Sequence, residues 1–145
     1  MKFKYDSNVR NSLENVWDFI MNFERRPEWI HFFDKSFISE KADTWVGTKY
    51  KEKLTFLGIP LFIEYEITEY QERSNLFAIC KMPPFKPKIE IQVRDNGDGT
   101  IYSSLEFEIK LVALRFAPKK FVKKQVDKLI LPVIDNYIRI LDQPA

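Results

Sequence analysis

Three places in the chain carry side chains whose types and spacing could do chemistry. The first is "ERRPEWIHFF" (24–33), which holds the only histidine, His31. A general base needs an orienting or nucleophilic partner within hydrogen-bond reach. Asp34 lies three residues on, with no further signature, so His31 reads as incidental. The second is "DNGDGT" (95–100), where Glu106 stands twelfth from Asp95, as in a calcium loop. Positions three and five of that loop are Gly97 and Gly99, which bring no side-chain oxygen, and position six is Thr100 instead of glycine. Asn-Gly and Asp-Gly accept positive φ cheaply, so this stretch reads as a hairpin turn. The third is Glu52. In "KYKEKLTF", Tyr50, Glu52, Leu54 and Phe56 share one parity, opposite to Lys51, Lys53 and Thr55. With the lysines outside, Glu52 points inward. A buried carboxylate without a partner is expensive. Glu52 therefore pairs with an Arg or Tyr, meets cavity water, contacts a ligand, or reaches solvent through strand curvature.

Composition narrows the classes. The 145 residues favour one domain, 1–145, with one core. The charged residues, 23 basic against 21 acidic, leave a net +2, without the basic excess of a nucleic-acid binder. A lone cysteine, Cys80, excludes an internal disulfide and a Cys-rich zinc site. No nucleotide-binding glycine loop occurs. No metal and no cofactor are called for. The N-terminal "MKFKYDSN" lacks the apolar core of a signal peptide, and no apolar run approaches the ~20 residues of a bilayer span. The expectation is a cytoplasmic protein. Aromatic content is 15%, with 13 phenylalanines, a large apolar volume that either packs solid or lines a cavity.

The positioning elements follow from hydrophobic period. Strands are expected at 2–9, 37–41, 48–56, 61–70, 76–82, 88–95 and 101–111, joined by short turns into an antiparallel meander. "NSLENVWDFIMNF" should form a helix capped by Asn11 or Ser12. A short second helix should open at Pro27 and run through Trp29 and Phe33, with both inward and with Arg25, Arg26 and Glu28 solvated. The segment 117–141 is a long amphipathic helix with Val122, Val126, Leu129, Ile130, Val133, Ile134, Tyr137 and Leu141 on one stripe, and Pro132 should kink it. Ile63, Tyr65 and Ile67, then Ile89, Ile91 and Val93, then Leu105, Phe107, Ile109 and Leu111 form strand faces that should point at this helix. A curved sheet gripping one helix leaves space between them.

"SLENVWDFI", "PEW", "VGT", "GDGT" and the terminal amphipathic helix, in this order and spacing, resemble the START-like, or SRPBCC, superfamily, in its polyketide cyclase/dehydrase-like branch. The resemblance covers nearly the whole chain. It implies an α+β helix-grip fold: a curved seven-stranded antiparallel sheet around a long C-terminal helix, with two short helices between strands 1 and 2 and an apolar cavity. The superfamily spans lipid carriers, hormone receptors, aromatic cyclases, chaperone activators and oxygenase subunits, so fold alone does not choose a function. The oxygenase class needs two iron-binding histidines, and the chain has one.

The leading expectation is a binder or carrier of a hydrophobic or amphiphilic small molecule in a cavity of at least a few hundred Å³. Its walls should include Trp29, Phe33, Tyr50, Phe56, Tyr65, Phe107, Val126 and Ile130, with Tyr50, Glu52, Tyr65 and Tyr102 as polar groups. The alternatives are a cyclase- or dehydratase-type enzyme with Glu52 or a Tyr as acid/base, and a protein-interaction module. Turns "LGIP" (57–60) and "PPFKP" (83–87) must share one end of the meander with the start of the long helix. The mouth is expected there, between Ile59, Pro60, Pro84 and Phe85, rimmed by Lys86, Lys119, Lys120 and Lys123. "LGIP" also resembles the gate loop of the superfamily's plant hormone receptors. Such a mouth would suit an anionic-headed amphiphile or brief docking on an anionic membrane. The oligomeric state is left open.

Overall fold

A computed structural model describes residues 1–110 and 117–143. The element order is β1 (Lys2–Arg10), α1 (Leu13–Met21), a 3₁₀ turn η1 (Phe23–Glu28), β2 (Phe33–Glu40), β3 (Lys49–Phe56), β4 (Ile59–Gln71), β5 (Asn75–Ile79), β6 (Lys88–Asp95), β7 (Thr100–Glu108) and α2 (Lys119–Leu141). The seven strands form one antiparallel sheet in the order β1-β7-β6-β5-β4-β3-β2, with β1 and β2 at its edges.

Local chemistry sets the element ends. Ser12 caps α1 by accepting the Asn15 N–H at 3.1 Å, and Val16, Trp17 and Ile20 form the buried stripe. Gly97 and Gly99 have φ of +82° and +87° in the β6–β7 turn, and Asp95 accepts the Gly97 N–H at 2.8 Å. The Asp98 carboxylate likewise accepts the Thr100 N–H at 3.0 Å. Both aspartates of the calcium-like stretch thus hold the turn itself.

The expected helix opening at Pro27 is not formed. The helical turn ends at Glu28, and Phe33 opens β2, four residues earlier than the alternation from Phe37 indicates. Pairing with β3 captures the segment: Phe33 stands opposite Leu54, and the Thr55 N–H donates to the Phe32 carbonyl at 3.1 Å. Cross-strand bonding outweighs the helical spacing of Trp29 and Phe33. The strand expected at 76–82 ends at Ile79, after which Cys80 N–H turns to the Pro87 carbonyl. Leu111, expected on the inward face of β7, lies outside the described residues. α2 continues as one helix through Pro132, which sits on its exposed side.

The turns at 57–60 and 83–87 do share an end. Phe56 and Phe85 meet edge to face at 5.5 Å, and the Lys110 N–H donates to the Phe85 carbonyl at 2.7 Å. One core cluster fills that end, with Phe3, Phe85, Phe107, Ile109 and Val122. A second, with Val9, Val16, Trp17, Ile67, Leu76 and Ile101, fills the other.

Candidate functional site

A cavity of about 170 Å³ draws its lining from both clusters. That is smaller than the few hundred Å³ expected, because much of the aromatic volume is spent on ring-to-ring packing. Tyr50 stacks on Tyr65 at 4.9 Å, Phe3 on Phe107 at 5.0 Å, and Trp29 meets Phe19 at 5.1 Å and Tyr137 at 5.7 Å.

The structure brings Trp29, Phe33, Tyr50, Glu52, Phe56, Tyr65, Phe85, Phe107 and Ile130 together around this space. Ile59 and Val126 stand apart from it, packed in the cluster at the turn end. Tyr102 points outward, where its hydroxyl donates to Asp6 at 2.7 Å. His31 is exposed and touches only the Phe32 ring edge among the aromatic contacts described. None of Lys86, Lys119, Lys120 and Lys123 lines the cavity. Lys120 and Lys123 instead line a groove on the outer face of α2, with Lys124, Asp127 and Lys128.

The parity of β3 is realised in full: Tyr50, Glu52, Leu54 and Phe56 are all buried, and Glu52 is 3% exposed. Its partner is Arg26, which is not solvated as expected but 5% exposed. Arg26 Nη1 donates to Glu52 Oε2 at 3.3 Å, and Nη2 donates to the Ile20 carbonyl at 3.0 Å. The guanidinium lies 4.1 Å from the centre of the Phe23 ring. Burial pushes the Glu52 carboxyl up to about 7, against the pull of Arg26, which favours the ionised form. Burial raises the Tyr50 and Tyr65 hydroxyls, and the charge of Glu52 raises them further.

Other polar groups on the lining were not singled out from sequence. Ser103 and Tyr137 share a hydrogen bond of 2.7 Å, and Tyr5 donates to Asp127 at 2.6 Å, tying β1 to α2. Ser7 and Ser104 are also buried there. The signal for Ser7 and Ser103 lay in parity with Tyr5 and Leu105. Among the described residues, Trp29 Nε1 and Ser36 Oγ are buried without a hydrogen-bond partner.

A curved sheet closed on a helix over a largely apolar cavity, with the Arg26–Glu52 ion pair buried on its wall, is the helix-grip architecture. Residues 2–136 match the family described as polyketide cyclase/dehydrase and lipid transport, and the chain belongs to that family. No curated protein matches the sequence. A START superfamily protein of Mycobacterium smegmatis shares the fold with a TM-score of 0.79 at 14% identity, over 97% of this chain and 96% of that one. A Thermus thermophilus protein gives 0.79 at 10% identity, covering 97% of each chain. The di-domain ARO/CYC protein BexL of the BE-7585A biosynthetic pathway gives 0.73 at 12% identity, over 96% of this chain and 45% of that one. At these identities the likeness is one of fold.

Proposed function

We propose that this protein binds a small hydrophobic molecule inside the cavity, with the Arg26–Glu52 pair as its polar end. One observation carries the reading: a largely apolar space keeps a buried ion pair on its wall. Charges are desolvated at a cost of several kcal/mol each, so a pair facing a void is hard to explain by stability alone. The volume sets the ligand's scale. Apolar cavities of about 150 Å³ take up benzene, so 170 Å³ suits a single ring or a short chain. Denaturing extraction of the purified protein followed by mass spectrometry tests the reading. A co-purified single-ring or short-chain compound, absent from a cavity-blocked Leu105→Trp variant, is expected. Equal recovery from both proteins would refute it.

A second reading makes the site an enzyme of cyclase or dehydratase type, with Glu52 moving a proton. A carboxyl held near 7 beside the stacked Tyr50–Tyr65 pair favours it, since proton transfer is most efficient when the pKa lies near the working pH. The ARO/CYC relative shares the fold. Against it stands the volume, because a multi-ring polyketide would need the wall to open. Brief contact with an anionic membrane belongs to the binder reading. It rests on exposed Phe121 (55%) and Met82 (59%), set among Lys81, Lys86, Lys119 and Lys120 at the end where α2 begins.

A further inference from the structure

The Glu52 carboxylate has two oxygens and room for about four donors. Arg26 Nη1 fills one place on Oε2, and no other side-chain hydrogen bond reaches this carboxylate among the described residues. Tyr50 and Tyr65 lie on the same wall, in a lining that is mainly aliphatic and aromatic. Acceptor capacity thus faces the cavity unmet. A ligand that brings a donor would add a charge-assisted hydrogen bond there.

The charge of the pair narrows the donor. A carboxylate ligand would place a second negative charge beside Glu52, and it would compete for an Arg26 already held by Glu52, the Ile20 carbonyl and the Phe23 ring. An ammonium ligand would lose its hydration in a space whose fixed charges already cancel. A hydrocarbon would leave the acceptor unmet. A neutral hydroxyl meets it. The aromatic rings of Tyr50, Tyr65, Phe33, Phe56 and Phe107 line a space of about 170 Å³, which suits one flat ring. A phenolic O–H is also a stronger donor than an alkanol.

We infer that the cavity selects a neutral single-ring phenol whose hydroxyl donates to Glu52. This rests on the small-molecule reading above, and it replaces an anionic head group with a neutral one. The structural basis is the open side of the Arg26–Glu52 pair. No bond is made or broken in this binding.

Three ligands built on one ethyl-substituted ring separate the cases: 4-ethylphenol, ethylbenzene and 4-ethylbenzoate. Their affinities would be measured by calorimetry on the wild-type protein near pH 8. The expected order is 4-ethylphenol about tenfold tighter than ethylbenzene, the worth of one hydrogen bond to a charged group, with 4-ethylbenzoate weakest. In Glu52→Gln the ratio of the first two should fall toward one. Equal affinity for the phenol and the hydrocarbon in wild type overturns the phenol inference while the apolar-binding reading stands. Tightest binding of the benzoate overturns it in the same way. Absence of binding by all three overturns both. The wild-type series decides the question even if the variant fails to fold.

Discussion

Arg26 and Glu52, far apart in sequence on η1 and β3, meet at 3.3 Å inside the apolar interior, and both are almost fully withdrawn from water. Each is costly without the other, and the following outcomes depend on that.

Glu52 should make the protein less stable as pH rises. Its native carboxyl is pushed up to about 7 from an ordinary 4.5. Below about 4.5 both folded and unfolded chains hold the proton, and the penalty is absent. Between the two values the unfolded chain binds fewer protons, so stability falls; above about 7 the full penalty applies. Urea unfolding of wild type and Glu52→Gln at about pH 5 and 8 isolates this group, since other titrations cancel. Wild type should lose on the order of 2 kcal/mol more than the variant. Equal losses would contradict the assignment.

Removing the cation alone should be severe. Arg26→Met leaves an ionised Glu52 unpaired and should cost about 3–5 kcal/mol at alkaline pH. The cost should shrink toward pH 5 as Glu52 takes a proton. Adding Glu52→Leu to Arg26→Met should restore most of the loss. A double variant as unstable as the single one would show that packing, not charge, is at stake.

Two neighbours on one helix stripe should behave differently. Ile130 lines the cavity, whereas Val126 is fully buried in the turn-end cluster. Ile130→Ala should cost about 2–4 kcal/mol and shift preference toward bulkier ligands. Val126→Ala should lower stability without changing ligand preference. A shared change in preference would move the cavity boundary.

The lysine-rich end should bind anionic vesicles weakly and reversibly. Sedimentation with vesicles containing phosphatidylserine should be lost at high salt, and reduced in Lys119→Gln/Lys120→Gln/Phe121→Ser. Equal sedimentation with neutral vesicles would contradict a charge-driven contact.

The sheet and its inner face were legible because strand parity is a local property. Alternation alone put Tyr50, Glu52, Leu54 and Phe56 on one side. The partner of Glu52 was not legible. Arg25 and Arg26 are adjacent on a 3₁₀ turn that sequence spacing did not define, and only the tertiary fold sends Arg26 inward while Arg25 pairs with Glu28 at 2.6 Å outside. The start of β2 was missed because pairing with β3 overrides the local pattern around Trp29 and Phe33. Cavity volume was overestimated because it depends on how the rings stack, which composition does not specify.

Whether the interior admits a small apolar ring can be read from isoleucine methyl NMR with added ethylbenzene. Saturable shifts should centre on Ile20, Ile63, Ile89, Ile130 and Ile134, which line the cavity, with exposed Ile38 and Ile140 unmoved. No shifts, or shifts centred on Ile38 and Ile140, would contradict binding inside the fold.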